Sequence, residues 1–404
     1  MRTSIGVEEA LETVLSCCRV LDEETADLVG SVGRTLSRAV SAPADVPPFA
    51  NSAMDGYALG APGGTEVPFT LRIAGEVAAG AWSSVEIEPG TCVRIMTGAP
   101  VPPLTDRVVP VEWTDPSGAD HVTIRRMPPA GAHVRPPGQD VRRGEVVLHE
   151  GSVIGAGAAG ILATLGVGRV FVRRKPIVAV VTTGNELVEP GSGALAPGQI
   201  FNSNAYALSA QARHAGADVL GPFHARDDRP SLDRILAQLG AADLIVFSGG
   251  VSMGLYDLVH DALKAQGFVA EFWKVRQRPG NPLLFGCLGT IPVLGLPGNP
   301  VSSSICFDQY ARPAIGALLG RDEVSRTRYA ATLSAPFAKP AGLHVFARGV
   351  ATMDADGRLA VRPTGEQGSN LFTSVLRANC IVHLPEAWDR AEMGQSVDIE
   401  WIDW

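Results

Sequence analysis

DLIVFSGGVSMGLYD, residues 243–257, is the stretch whose reading decides the fold. Leu244, Ile245, Val246 and Phe247 make a short continuous apolar run, the pattern of a strand buried on both faces of a parallel sheet. The run stops at Ser248, Gly249 and Gly250, where two adjacent glycines let the backbone turn sharply and approach a bound group closely. Such a loop at the carboxyl end of a strand is where open α/β sheets bind their ligands. A helix is expected next, with Leu258, Val259, Ala262 and Leu263 on its apolar face and Gly267 closing it. Asp257 stands near its start, and a carboxylate beside a phosphate-cradling loop points to a divalent metal. Taken alone, Ser-Gly-Gly is equally the mark of an ordinary tight turn.

Around this stretch the chain alternates strand and helix from 176 to about 319. Strand-like runs fall at 177–181, 218–220, 244–247 and 293–296. Leu232, Ile235, Leu236 and Leu239 recur at helical spacing between two of them. The pattern predicts a doubly wound α/β domain. Three of its strand ends carry polar, glycine-rich loops that can converge on one ligand: Thr183, Gly184 and Glu186; Ser248, Gly249 and Gly250; and Pro297, Gly298, Asn299 and Ser302. The last opens a helix whose unpaired first-turn amides and dipole favour an anion by roughly 0.3 to 1 kcal/mol. Asp227 and Asp228 follow the next strand, and Lys274 and Arg278 flank an Arg-Pro-Gly turn. So many carboxylates beside anion sites would repel phosphate unless Mg²⁺, which takes oxygen ligands, lay between them.

The flanks read differently. Val7, Ala10, Leu11, Val14 and Leu15 give one helical face near the amino terminus, and a second helical piece is expected around 24–28. Residues 47–58, PPFANSAMDGYA, form a proline-stiffened turn carrying Asp55. From 69 to 113, short β-like runs broken by glycine and proline suggest a small sheet or barrel, with Thr97 at a strand end. Arg135 and Asp140 stand five residues apart in a Pro-rich loop. GAGAAG at 155–160 matches a dinucleotide fingerprint literally. The helix after it is too short for a βαβ crossover, and no acid closes the next strand, so packing of an alanine-rich helix is the better account. The tail from about 322 reads as another β domain with a polar loop, GEQGSN, ending in Ser369 and Asn370.

Composition narrows the class of protein. Of 404 residues, 46% are hydrophobic and 19% charged, which describes a globular chain of several domains. A net charge of −8 provides no global basic field for nucleic acid or anionic membrane. The six cysteines lack metal-ligand spacing and suit a reducing, cytoplasmic setting. No signal peptide or membrane-length apolar run is expected.

The ordered segments PPFANSAMDGYA, RIMTGAPVP, VRPPGQD, TTGNELVEPG, QIFNSN, SGGVSMG with Asp257, FWKVRQRPGNP, LPGNPVSS and GEQGSN span 47–370. With them the chain resembles the molybdopterin molybdenumtransferase family (MoeA type, a fold also used by the gephyrin E domain). The resemblance implies insertion of molybdenum from molybdate into adenylylated molybdopterin with release of AMP. It implies four parts: an elongated, discontinuous N-terminal domain (1–45 and 138–173), a small mainly-β domain (46–137), the α/β molybdopterin-binding domain (174–322) and a C-terminal β domain (323–404). It further implies a homodimer in which one subunit's α/β domain faces the other's amino-terminal region, with substrate handed over by a molybdopterin adenylyltransferase. Carried over by position, Asp55, Thr97, Arg135, Asp140, Glu186, Asp227, Asp257, Lys274 and Ser369 are site residues. Glu186, Asp227 and Asp257 are read as holding a metal-bridged phosphoanhydride, Asp55 and Asp140 as belonging to the molybdate end, and Lys274, Arg278, Arg135 and Ser369 as facing anionic groups.

The chain departs from the family pattern at Asn185, where an acid is usual, and in the turn RPGNP, where Arg278 and Asn281 replace lysines. Arginine keeps the charge with a different geometry, and Asn281 removes a cation. Tungstate use or a specialised paralogue is therefore an alternative reading. So are an adenylyltransferase, which would share the α/β domain without the flanking segments, and a non-catalytic pterin-binding scaffold, which would tolerate decay of the site acids.

Overall fold

The computed structural model describes the chain except residues 62–65, 83–84, 251–255 and 355, with only the backbone of residues 256 and 257 described. The middle of the chain is built on a seven-stranded sheet. Its strands are β1 (Arg2–Ile5), β2 (Ile177–Thr183), β3 (Asp218–Ala225), β4 (Leu244–Ser248), β5 (Phe268–Val275), β6 (Leu284–Leu288) and β7 (Ile291–Leu296), in the spatial order β1-β5-β6-β7-β4-β2-β3. From β3 to β7 the pairings are parallel; β6 then runs antiparallel to both β7 and β5, and β1 returns parallel to β5.

Helices α1 (Val7–Ser16), α2 (Ser203–His214), α3 (Arg229–Leu236), α4 (Tyr256–Ala265), α5 (Pro300–Cys306) and α6 (Arg312–Leu318) cover both faces. The period of two along each strand divides its residues between two cores. Val178 and Val180 of β2, with Leu244 and Val246 of β4, join Ala10, Val14, Leu208 and Ile315 from α1, α2 and α6. Ala179, Val181, Ile245 and Phe247 join Leu232, Ile235, Val259 and Leu263 from α3 and α4. Each fully buried Val, Leu or Phe stabilises by about 1.5–3 kcal/mol, so two-sided burial holds these strand ends rigidly. The expected doubly wound domain is present, enlarged by β1, β5 and β6.

The amino-terminal region departs from the expected helices. The piece anticipated as helical around 24–28 is largely the strand Glu23–Asp27, paired antiparallel with Arg169–Arg173; a one-turn helix, Leu28–Ser31, follows, with Asp27 accepting from the Gly30 amide. Cross-strand pairing to a partner more than 140 residues away overrides local helical preference. Residues 2–16, as β1 and α1, pack with the central sheet. The GAGAAG run opens the helix Ala156–Thr164, which packs with Leu36, Val170 and Val172.

Residues 56–124 contain a six-stranded sheet, and the tail forms another from the strands Arg328–Leu333, His344–Met353, Leu359–Pro363, Cys380–Leu384 and Ser396–Trp401. The sixth strand of that tail sheet is Gln277–Arg278, lent by the central domain and pairing parallel with His344 and Val345. This pairing carries Arg278 onto the C-terminal sheet.

Candidate functional site

The loops after β2, β4 and β7 converge on one cavity of about 560 Å³ at the carboxyl ends of the parallel strands. Thr183, Gly184, Glu186, Ser248, Gly249, Gly250, Pro297, Gly298 and Asn299 all line it, so three loops expected from sequence to share a ligand do share a space. Gly249 has φ +92°, and a Cβ there would stand 2.7 Å from the Thr183 carbonyl oxygen. Only glycine lets the two loops come this close. The Thr183 hydroxyl is buried and without a hydrogen-bond partner among the described residues, a donor left for a ligand.

The cavity wall is stitched by groups whose polar atoms are already engaged. Asn204 donates from Nδ2 to Ser248 Oγ and to the Gly298 carbonyl, both at 2.8 Å, while Ser248 Oγ lies 3.0 Å from Ser303 Oγ. Asn202 caps α2 and donates to Thr182 Oγ1 at 2.9 Å. Asn202 and Asn204 were not singled out as site residues from sequence, although Asn-Ser-Asn ahead of a helix is a capping signature that marks the loop. The first turn of α5 is likewise partly used: the Val301 amide donates to the Ser369 carbonyl at 3.2 Å, and Asn299 Nδ2 to Ser369 Oγ at 3.1 Å. Ser369 therefore sits against the helix start rather than apart from it.

Glu186 is the acid on the cavity wall, and Asp227 stands on the adjoining loop without lining the cavity itself. Asn185 and Asp227 exchange hydrogen bonds of 3.1 and 3.2 Å, and His224 Nε2 donates to the Gly184 carbonyl at 2.8 Å, fixing the loop from below. Neither Glu186 nor Asp227 forms an ion pair among the described residues. Two carboxylates without a cationic partner on adjoining loops are a donor set that suits a hard divalent ion. No group of three or more metal-ligating side chains is assembled among the described residues. Asp257, the third expected acid, has its backbone in the first turn of α4, and its side chain lies outside the described residues.

The cationic end begins at the RPGNP turn. Pro282, Pro297 and Asn299 border both the first cavity and a neighbouring one of about 320 Å³, which Arg278, Asn281, Ser302, Gln367 and Ser369 also line. Arg278, Pro279 and Gln367 in turn border a third cavity, of about 560 Å³, reaching into the C-terminal domain. The three make one trough. Its turn is anchored from beneath: Gln277, fully buried, donates to the Gly280 carbonyl at 3.0 Å and to Cys306 Sγ at 3.3 Å, and receives the Tyr310 hydroxyl.

Sequence reasoning missed Arg348 on this trough. It is fully buried, donates to Ser374 Oγ at 3.0 Å and the Gly368 carbonyl at 3.1 Å, and has no carboxylate partner among the described residues. Burial, and then the charge of Arg278, lower its guanidinium to about 10. An arginine inside a β-strand gives no sequence signal that separates it from a surface one.

Lys274 is held at φ +68° with its ammonium 4.1 Å from the centre of the Trp273 ring, and it does not line the trough. Asp55, Thr97, Arg135 and Asp140 lie elsewhere, on the amino-terminal strands and the loops between them. Residues Asn51–Ser52 pair with Val134–Arg135, the Gly98 amide donates to the Ser52 carbonyl, and the Asp140 amide donates to the Val46 carbonyl. Asp55 Oδ1 accepts from the Thr97 amide at 2.7 Å and its hydroxyl at 2.9 Å. Those two bonds, the amide first, hold the exposed Asp55 carboxyl below its ordinary range. None of the four lines the trough of its own chain.

Three family models match along the chain: the MoeA N-terminal region (domain I and II) over 5–166, a probable molybdopterin binding domain over 179–317 and the MoeA C-terminal region (domain IV) over 330–402. The chain is 37% identical over 391 residues to molybdopterin molybdenumtransferase 2 of Mycobacterium tuberculosis, covering 94% of this chain and 95% of that protein. It is 33% identical over 379 residues to the molybdopterin molybdenumtransferase of Haemophilus influenzae, covering 93% of each. The crystal structure of a molybdopterin biosynthesis MoeA protein from Pyrococcus horikoshii superposes with a TM-score of 0.84 at 25% identity, over 99% of this chain and 100% of that one.

Proposed function

The chain belongs to the molybdopterin molybdenumtransferase family, and on that premise we propose that it inserts molybdenum from molybdate into adenylylated molybdopterin, releasing AMP, in the cytoplasm. The observation that carries this reading is the single trough with opposite charge at its two ends. Glu186 stands at one end, with Asp227 on the adjoining loop behind it, and Arg278 and the buried Arg348 stand at the other. An adenylylated pterin has matching parts: a phosphoanhydride, which carboxylates engage through a cation, and a dithiolene that must meet an oxyanion.

Glu186 and Asp227, with Asp257, are the residues that would hold Mg²⁺, whose charge would offset that developing on the anhydride oxygens when AMP leaves. The remaining work falls to the chain itself. The free Thr183 hydroxyl and the close-packed Gly249 and Gly250 backbone seat the phosphate-bearing part. Arg278 and Arg348 hold the oxyanion, and Ser369 and Asn299 fix the passage between the two ends. Positioning and preorganised charge, rather than a covalent nucleophile, supply the rate.

Asp55, Thr97, Arg135 and Asp140 act, in this reading, on the trough of a second copy in a homodimer. Their separation from the trough of their own chain supports that arrangement. Substrate would be received from a molybdopterin adenylyltransferase. Glu186→Gln and Asp227→Asn test the acidic end. Each should lower Mg²⁺-dependent AMP release about 100-fold or more with an unchanged melting curve, and full activity in both would remove the acidic end from the mechanism.

A further inference from the structure

We propose that Arg362 is the third cation of the oxyanion site, gripping the same anion as Arg278 and Arg348 and supplying the charge that Asn281 does not. The inference rests on the reading above that the oxyanion sits at the cationic end of the trough.

The third cavity is bordered by Arg278, Arg348 and Arg362, together with Gln367 and an apolar wall that includes Phe337 and Phe346, and none of its lining residues is acidic. The strands bearing Arg348 and Arg362 are antiparallel neighbours, with Val350 opposite Arg362. Arg348 is therefore the diagonal neighbour of Arg362 on the same face, at roughly 7–8 Å between backbones. Arg278, paired with Val345 near the start of the Arg348 strand, borders the same cavity.

Like charges arranged this way oppose folding unless something of opposite sign lies among them. No carboxylate does so among the described residues: Arg278 and Arg362 form no ion pair, and Arg348 is bonded only to a hydroxyl and a carbonyl. Burial of Arg348 beside Arg278 already weakens its hold on its proton. A dianion in the cavity would answer the repulsion among the three arginines with attraction to each, and planar guanidinium forks suit its oxygens. Asn281 cannot serve, because its Nδ2 is turned into the turn and donates to the Val275 carbonyl at 2.7 Å. The exposed Arg362 lines the cavity and forms no ion pair among the described residues.

The test is calorimetric titration of the full chain with molybdate alone at low ionic strength, paired with melting curves in anion-free buffer. Wild-type protein should bind, and Arg278→Ala should bind more weakly. Arg362→Ala should lose about tenfold or more in affinity while melting no lower than wild type, since it relieves repulsion; a purely structural arginine would instead lower the melting point. Arg362→Lys should recover part of the loss. Unchanged affinity in Arg362→Ala, with weakened binding in Arg278→Ala, overturns the role of Arg362 and leaves the oxyanion site standing. Absence of molybdate binding by the wild type overturns the oxyanion reading, and this inference with it.

Discussion

The amide of Asn185 donates to Asp227 Oδ2 at 3.1 Å, and the amide of Asp227 returns a bond to Asn185 Oδ1 at 3.2 Å. Asn185 therefore supplies the acceptor that braces the Asp227 loop without adding a negative charge beside it. Asn185→Ala removes that acceptor and should raise the Mg²⁺ concentration for half-maximal turnover about tenfold, the worth of a hydrogen bond that orients a charged ligand. Asn185→Asp keeps the acceptor, adds a carboxylate beside Asp227, and should leave Mg²⁺ affinity equal or higher. An alanine variant with wild-type Mg²⁺ dependence would show that the bond pair does not orient Asp227.

Gly280 controls the Arg278 turn. It sits at φ +90°, and a Cβ there would lie 2.2 Å from Cys306 Sγ on α5. Gly280→Ala should cost about 1–3 kcal/mol from backbone strain alone and lift the turn off its anchor. Denaturant unfolding should record the loss, and molybdate affinity should fall with it. The double variant Gly280→Ala, Cys306→Ala relieves the contact but not the strain, so it should recover only part of the stability.

The separation of Asp55 from Glu186 predicts complementation between copies. Asp55→Ala and Glu186→Ala chains should each be inactive alone. Refolded together, they should recover about a quarter of wild-type activity, because half the dimers are mixed and each mixed dimer holds one intact site. Zero recovery, with mixed dimers shown to form, would place both residues in one chain's site.

Acid should weaken the C-terminal domain in two stages. Burial, and then the nearby His383, push the His344 imidazole down to about 3 from 6.5. Its folded pKa lies below its unfolded one, so the unfolded chain takes up a proton first and stability falls as pH drops from about 6.5 toward 3. Between pH 6.5 and 5 this amounts to about 1–2 kcal/mol. Glu400 adds to it: burial alone would raise its carboxyl, but the bond and charge of His383, with Gln309 and Arg328, bring it from 4.5 to about 2. Its contribution is present above 4.5 and lost as pH falls through that range toward 2. His344→Phe should flatten the upper stage of a melting-point profile against pH and leave the lower one.

The parts of this molecule that the sequence discloses are those where local chemistry and tertiary role agree. The run 244–247 is apolar because both faces of β4 are covered, and Gly249 is a glycine because Thr183 leaves no room for a Cβ. β1 was not legible, since RTSI has no apolar alternation and owes its strand state to pairing with β5. The same holds for Glu23–Asp27, whose acids suggest a helix until Arg169–Arg173 is laid beside them. In the site, Glu186, Ser248 and Gly298 could be read from their loops. Arg348 and Arg362 could not, because their meaning lies in which strands adjoin. That Asp55 does not line the trough was equally invisible in the residues themselves, because residue order carries no record of which loops adjoin in space.

The most direct test is a single turnover with excess enzyme, adenylylated molybdopterin, Mg²⁺ and molybdate, following AMP and molybdenum bound to the pterin in one quenched time course. The account predicts that both appear together in equal amounts and that neither appears quickly without molybdate. AMP release at the same rate without molybdate, or tight substrate binding with no AMP at all, would contradict it.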